Sequence, residues 1–74
     1  MTLNNIPQDS DAEICEISEN VISSRLLEMG FYPHQKLQVI GRAPFGDPIA
    51  VRIGNSTVML RSAEAKCISV KLAS

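Results

Sequence analysis

The sequence predicts a mainly β fold, a small barrel of about five short strands with one inserted α-helix. Three observations lead there. Apolar residues alternate with polar ones in short runs, the signature of strands with one buried face. Gly54-Asn55 separates two such runs by two residues, a hairpin signal. Between two further runs lies Ala43-Pro44-Phe45-Gly46-Asp47-Pro48-Ile49, which no helix can cross. Strands this short gain most by curling into a barrel that hides its edges.

Each element follows from its residues. Residues 1–11 are a polar lead-in that Leu3 or Ile6 can pin to the body. Ala12 to Ile17 reads as the first strand, with Ala12 and Ile14 on one face and Glu13 and Cys15 on the other. The step from Ile14 to Ile17 breaks the period of two, which marks a bulge or the strand's end. Ser18 to Gly30 reads as the helix. Ser18 or Asn20 can supply the N-cap oxygen, and Ile22, Leu26 and Met29 repeat at i, i+4, i+7. Leu27 falls off that stripe and is expected to be partly exposed. Gly30 suits the C′ position, where a left-handed residue ends a helix.

Pro33-His34 makes a turn. Leu37 and Val39 then alternate with Lys36 and Gln38. In the proline heptapeptide, Pro44 suits position i+1 of a type I turn, with Gly46 at i+3. Ile49, Val51 and Ile53 alternate in the following strand, and Val58 and Leu60 in the returning one. Ser62 to Cys67 reads as a helical turn capped by Ser62, with Glu64 and Lys66 outward. Ile68, Val70 and Leu72 form a closing strand. The chain is one domain, residues 1–74, with a core expected over about 6–72.

Composition bounds the function. Net charge is −1, but five carboxylates fall within residues 1–24 without a base, and all seven bases fall in residues 25–74 against three carboxylates. The bases are spread singly, and Phe31, Tyr32 and Phe45 are the only aromatics, so a nucleic-acid footprint is not expected. No signal peptide is expected, and no apolar run is long enough for a bilayer, so a cytoplasmic location with reduced thiols is expected. Cys15 and Cys67 are read as small buried hydrophobes, and Met29 and Met59 as core fillers. With one histidine, His34, two separated cysteines and no Gly-rich phosphate loop, the sequence offers no catalytic, cofactor-binding or metal site.

What remains is a stiff loop carrying an aromatic. Pro44, Phe45 and Asp47, with Leu26 and Leu27 on the helix, are the candidate partner-binding residues. Phe45 reads as an anchor or as a cap on the barrel end. Asp47 reads as a contact residue or as an acceptor for its own loop's backbone.

Several segments together resemble the FeoA family over about Ile6 to Leu72. They are Arg25-Leu26-Leu27-Glu28-Met29-Gly30-Phe31 with Pro33, the Ala43–Ile49 heptapeptide, Leu60-Arg61 with Glu64-Ala65, and Ile68-Ser69-Val70. The resemblance implies an SH3-like barrel with one inserted helix; that the chain is not an enzyme is expected from the missing catalytic constellation. It implies a cytosolic accessory of bacterial ferrous-iron uptake. The partner it implies is a FeoB-like ferrous-iron transporter, a membrane permease with an N-terminal GTPase domain, and weak homo-oligomerisation is compatible with it. The alternative is a regulatory or nucleic-acid-associated small barrel, like the domain fused to some metal-dependent repressors. One departure stands out: the family usually has Pro-Gly where this chain has Pro33-His34. The turn there is expected to change from type II to type I, since glycine enters positive φ most readily.

Overall fold

Alternating apolar residues place five antiparallel strands around one core, in a computed structural model that describes residues 1–19 and 23–73. Asn20 and Ile22, named above as cap and stripe residues, lie outside the described residues. The strands are β1 (Asp11–Ile17), β2 (Lys36–Arg42), β3 (Ile49–Ile53), β4 (Ser56–Leu60) and β5 (Ile68–Leu72). They form one sheet in the order β4-β3-β2-β1-β5. Helix α1 spans Ser23–Glu28 and α2 spans Ser62–Ala65, with a 3-10 turn at Leu3–Asn5.

The sheet curls at two irregularities. One lies in β1 between Ile14 and Glu16, where the broken period fell in the sequence. The other lies in β2 between Val39 and Gly41. Bulges of this kind bend a strand and sharpen its twist. The first and last strands are neighbours in the sheet, β1 pairing β5 from Ala12↔Leu72 to Ile17↔Ile68. Closure is incomplete: among the described residues no pairing joins β4 to β5, so β4 remains an open edge.

The inward positions are those the alternation marks. Ala12, Ile14, Val39, Val51, Leu60 and Ile68 are fully buried. The lead-in belongs to the core as well, because Leu3 and Ile6 are buried and Thr2 bridges Ser69. Arg42 fastens it, donating to the carbonyl oxygens of Asn4 (3.1 Å) and Ile6.

Helix α1 ends in a Schellman motif. Gly30, at φ +98°, is the left-handed residue. The Phe31 N–H donates to Leu26 O and the Gly30 N–H to Leu27 O, both at 3.0 Å. Phe31 and Leu26, both fully buried, supply the motif's apolar contact.

Several expectations need correction. His34 keeps a positive φ of 74°, and the Gln35 N–H reaches Tyr32 O at 3.3 Å, so the turn retains the type II pattern with histidine in the glycine position. Tertiary structure holds it there, because the His34 N–H also donates to Ile14 O at 2.8 Å. Cys15 is exposed, since it follows inward Ile14 by one residue, whereas Cys67 is half-buried against the core. Met59 is 56% exposed because it shares the outward face with Ala50, its partner on β3. Ser62 is not the cap of α2. That position falls on Arg61, whose N–H donates to Glu64 Oε1 at 2.9 Å, so Glu64 is drawn inward instead of facing solvent. Ser18 lies outside α1 and donates its N–H to Cys67 O at 2.8 Å.

Candidate partner-docking surface

The β2–β3 connection is shaped by its own residues. Pro44 fixes φ at the first corner. The Gly46 N–H then closes the turn on Ala43 O at 2.7 Å, with Gly46 at φ +83°. The Ala43 N–H bonds to Pro48 O at 3.1 Å across the base of the loop, and the Asp47–Pro48 peptide is cis. The side chain at the second corner, Phe45, is 98% exposed, so it does not cap the barrel.

Asp47 works across the fold, not within its loop. Its Oδ1 accepts the Ser62 N–H of α2 at 3.0 Å, fifteen residues away. That N–H is one of the orphan donors at a helix start, and a carboxylate there also suits the helix dipole. Glu64, one turn on, continues the connection. Its Oε1 holds the Arg61 N–H, and its Oε2 lies 3.9 Å from Arg25 Nε on α1. Loop, α2 and α1 are thus joined through backbone and side-chain contacts.

The helix residues separate sharply. Leu26 is fully buried against Phe31 and presents nothing to a partner, because the Schellman end turns it into the core. Leu27 is 51% exposed. It lines an open groove of about 430 Å³ with Ile17, Glu19, Ser23 and Pro33. Exposed Tyr32 precedes Pro33 in the turn beside it. Pro44, Phe45 and Asp47 do not line this groove, so the predicted residues form a groove and a separate tip.

Elsewhere, Glu13 Oε2 lies 3.8 Å from Lys71 Nζ and 3.9 Å from His34 Nδ1. Among the described residues no three of His, Cys, Asp and Glu come together as metal ligands. No helix is long and apolar enough to cross a membrane. Sequence reasoning missed the Asp47–Ser62 and Arg61–Glu64 bonds. The second had a faint signal, a Glu three residues after the cap, masked because an Arg occupies the place where a capping box shows Ser or Thr.

Comparison with known proteins gives consistent matches. A model of the FeoA domain matches residues 1–72. A Campylobacter jejuni protein provisionally named Fe(2+) transport protein A is 36% identical over 73 residues, 97% of this chain and 99% of the relative. Iron(II) transport protein A of Clostridium thermocellum superposes with a TM-score of 0.91 at 33% identity. The match covers 97% of this chain, which spans 45% of that longer one. FeoA of Stenotrophomonas maltophilia, solved with zinc and described as a procaryotic SH3 domain protein, gives a TM-score of 0.85 at 29% identity. That match covers 96% of this chain and 89% of the other. A manganese-dependent transcriptional repressor shares the fold, with a TM-score of 0.90 at 24% identity over 99% of this chain and 36% of the repressor.

Proposed function

The chain belongs to the FeoA family, and from that premise we propose that it is a cytosolic docking module of ferrous-iron uptake. Its partner in this reading is the cytosolic part of a membrane permease that carries a GTPase domain. The fold offers a rigid recognition surface, and the described residues assemble no catalytic constellation.

One observation carries the reading. Phe45 stands almost fully in solvent at the tip of a loop pinned at its base and, through Asp47, to α2. A bare phenylalanine on a stiff support loses little ordering entropy on docking and fits the aromatic anchors that dominate interfaces. Leu27 in its groove supplies a second apolar contact, with Glu19 as a charge beside it. Burying a side chain of either kind is worth ~1.5–3 kcal/mol, so losing one weakens binding roughly 10- to 100-fold.

The test compares iron uptake with stability in the same variants. Phe45→Ala and Leu27→Gln abolish or strongly reduce ferrous-iron uptake, while their melting temperatures stay within about 5 °C of the parent, because both side chains are solvent-facing. Normal uptake in both variants, or failure only through unfolding, defeats the proposal. In that case the acidic β1 side of the molecule becomes the next surface to examine.

A further inference from the structure

We propose that the outer edge of β4 is a self-association surface, which takes a second copy of this chain by antiparallel strand pairing centred on Val58. The starting point is an edge without protection. Natural sheet edges are guarded by Lys, Pro, a bulge or a covering segment. β5, the opposite edge, has a cover: Thr2 bridges Ser69, and the Val70 N–H donates to Met1 O at 2.8 Å. β4 reads Ser-Thr-Val-Met-Leu, without charge or proline. Its pairing with β3 runs from Ile53↔Ser56 to Ile49↔Leu60 without a shift. Among the described residues its backbone bonds to no other element.

The hairpin turn decides which backbone groups face outward. Gly54 has φ +60° and Asn55 is not in the positive region, the pattern of a two-residue II′ turn. Such a turn closes on a hydrogen-bonded pair, here Ile53–Ser56. Bonded and non-bonded pairs alternate along an antiparallel ladder, so Val51–Val58 and Ile49–Leu60 are bonded as well. The N–H and C=O groups left pointing away from β3 are those of Thr57 and Met59.

These two residues flank Val58 symmetrically, and that symmetry selects a second copy over a foreign strand. A twofold axis at Val58 sets Thr57 of each copy opposite Met59 of the other. Four N–H···O=C bonds then form, and Val58 meets Val58 as a close non-bonded pair. The side chains agree with this register. Exposed Met59 lies beside the methyl of Thr57 on the outward face, and Leu60 faces Ser56 on the inward one. Arg61, the first charge beyond β4, comes opposite Asn55, so no like charges meet. Two five-residue strands bury much less than the ~1,200–2,000 Å² of stable complexes, so the dimer is weak, with a Kd of ~0.1–1 mM.

Sedimentation equilibrium and amide exchange followed from ~20 μM to ~2 mM protein, a range that brackets that Kd, form the test. The expected result is a monomer–dimer equilibrium in which the Thr57 and Met59 amides, and no others in β3 or β4, gain protection on concentration. The T57K/M59K double variant sets ammonium against ammonium and weakens association at least ~10-fold. Both positions are exposed, so its circular dichroism and melting stay near the parent's. Mixing it with T57E/M59E restores dimers, now as heterodimers. A monomer throughout the range overturns the proposal. So does a dimer indifferent to T57K/M59K, or protection gained elsewhere on the surface.

Discussion

Removing the Asp47 carboxylate isolates one strut of the candidate docking loop. In Asp47→Ala the Ser62 N–H, held at 3.0 Å by Oδ1, loses its only protein acceptor seen among the described residues. The site is exposed, so water replaces the acceptor and the full cost of a buried orphan does not apply. The loss resembles that of an N-cap side chain, about 1 kcal/mol. In a domain of this size ~1 kcal/mol lowers the melting temperature by roughly 4–8 °C. Asp47→Asn keeps an acceptor oxygen but gives up the charge at the helix start, so about half that effect remains. The direct readout is exchange of the Ser62 amide, which speeds up roughly fivefold in Asp47→Ala if its opening costs ~1 kcal/mol less. Phe45 stays exposed in every case, so any loss of binding to the proposed partner in Asp47→Ala measures the value of a rigid tip. Unchanged Ser62 exchange together with an unchanged melting temperature refutes the argument, since the loop would then be held without Asp47.

Two further predictions concern the frame. Leu60→Ala, which empties a fully buried position opposite Ile49, costs about 2–5 kcal/mol by urea unfolding, whereas Met59→Ala, one residue away and facing out, stays within ~0.5 kcal/mol; equal midpoint shifts would show the register reversed. Gly30→Ala meets nothing within 4 Å of the new Cβ, so its cost is that of φ +98° alone, about 1–2 kcal/mol in thermal unfolding, and a neutral result would contradict the Schellman end.

The strands were legible because each carries its own period. Ile49, Val51 and Ile53 need no tertiary information to declare a face, and Gly54-Asn55 declares the turn after them. The break at Ile14 likewise announced a real bulge. What sequence could not supply was long-range bonding. Glu64 looked like a solvated helix residue until Arg61 and Arg25 met it from two directions. Asp47 read as a partner contact or as an acceptor for its own turn, yet its hydrogen bond goes to α2. His34 was expected to avoid the left-handed region, but the bond to Ile14 outweighs the modest steric penalty. The candidate surface was half legible for the same reason. Exposure of Leu27 follows from helix phase, whereas the division between groove and loop tip depends on how elements pack.

The pairing of β1 with β5 also sets an order of assembly. β3 and β4 meet across a two-residue turn, and β2 reaches β3 across a short, stiff loop, so this meander forms from neighbours in sequence. Ala12 and Leu72, by contrast, must close nearly the whole chain. An open loop of that length costs ~3–4 kcal/mol in closure entropy before any contact repays it. β5 therefore joins late, once β1 has a partner in β2. Late closure also delays α2, which sits between β4 and β5. The proline turn itself, closed by the Gly46 N–H on Ala43 O and by the Ala43 N–H on Pro48 O, forms with the meander, whereas its brace from Asp47 to Ser62 waits for α2.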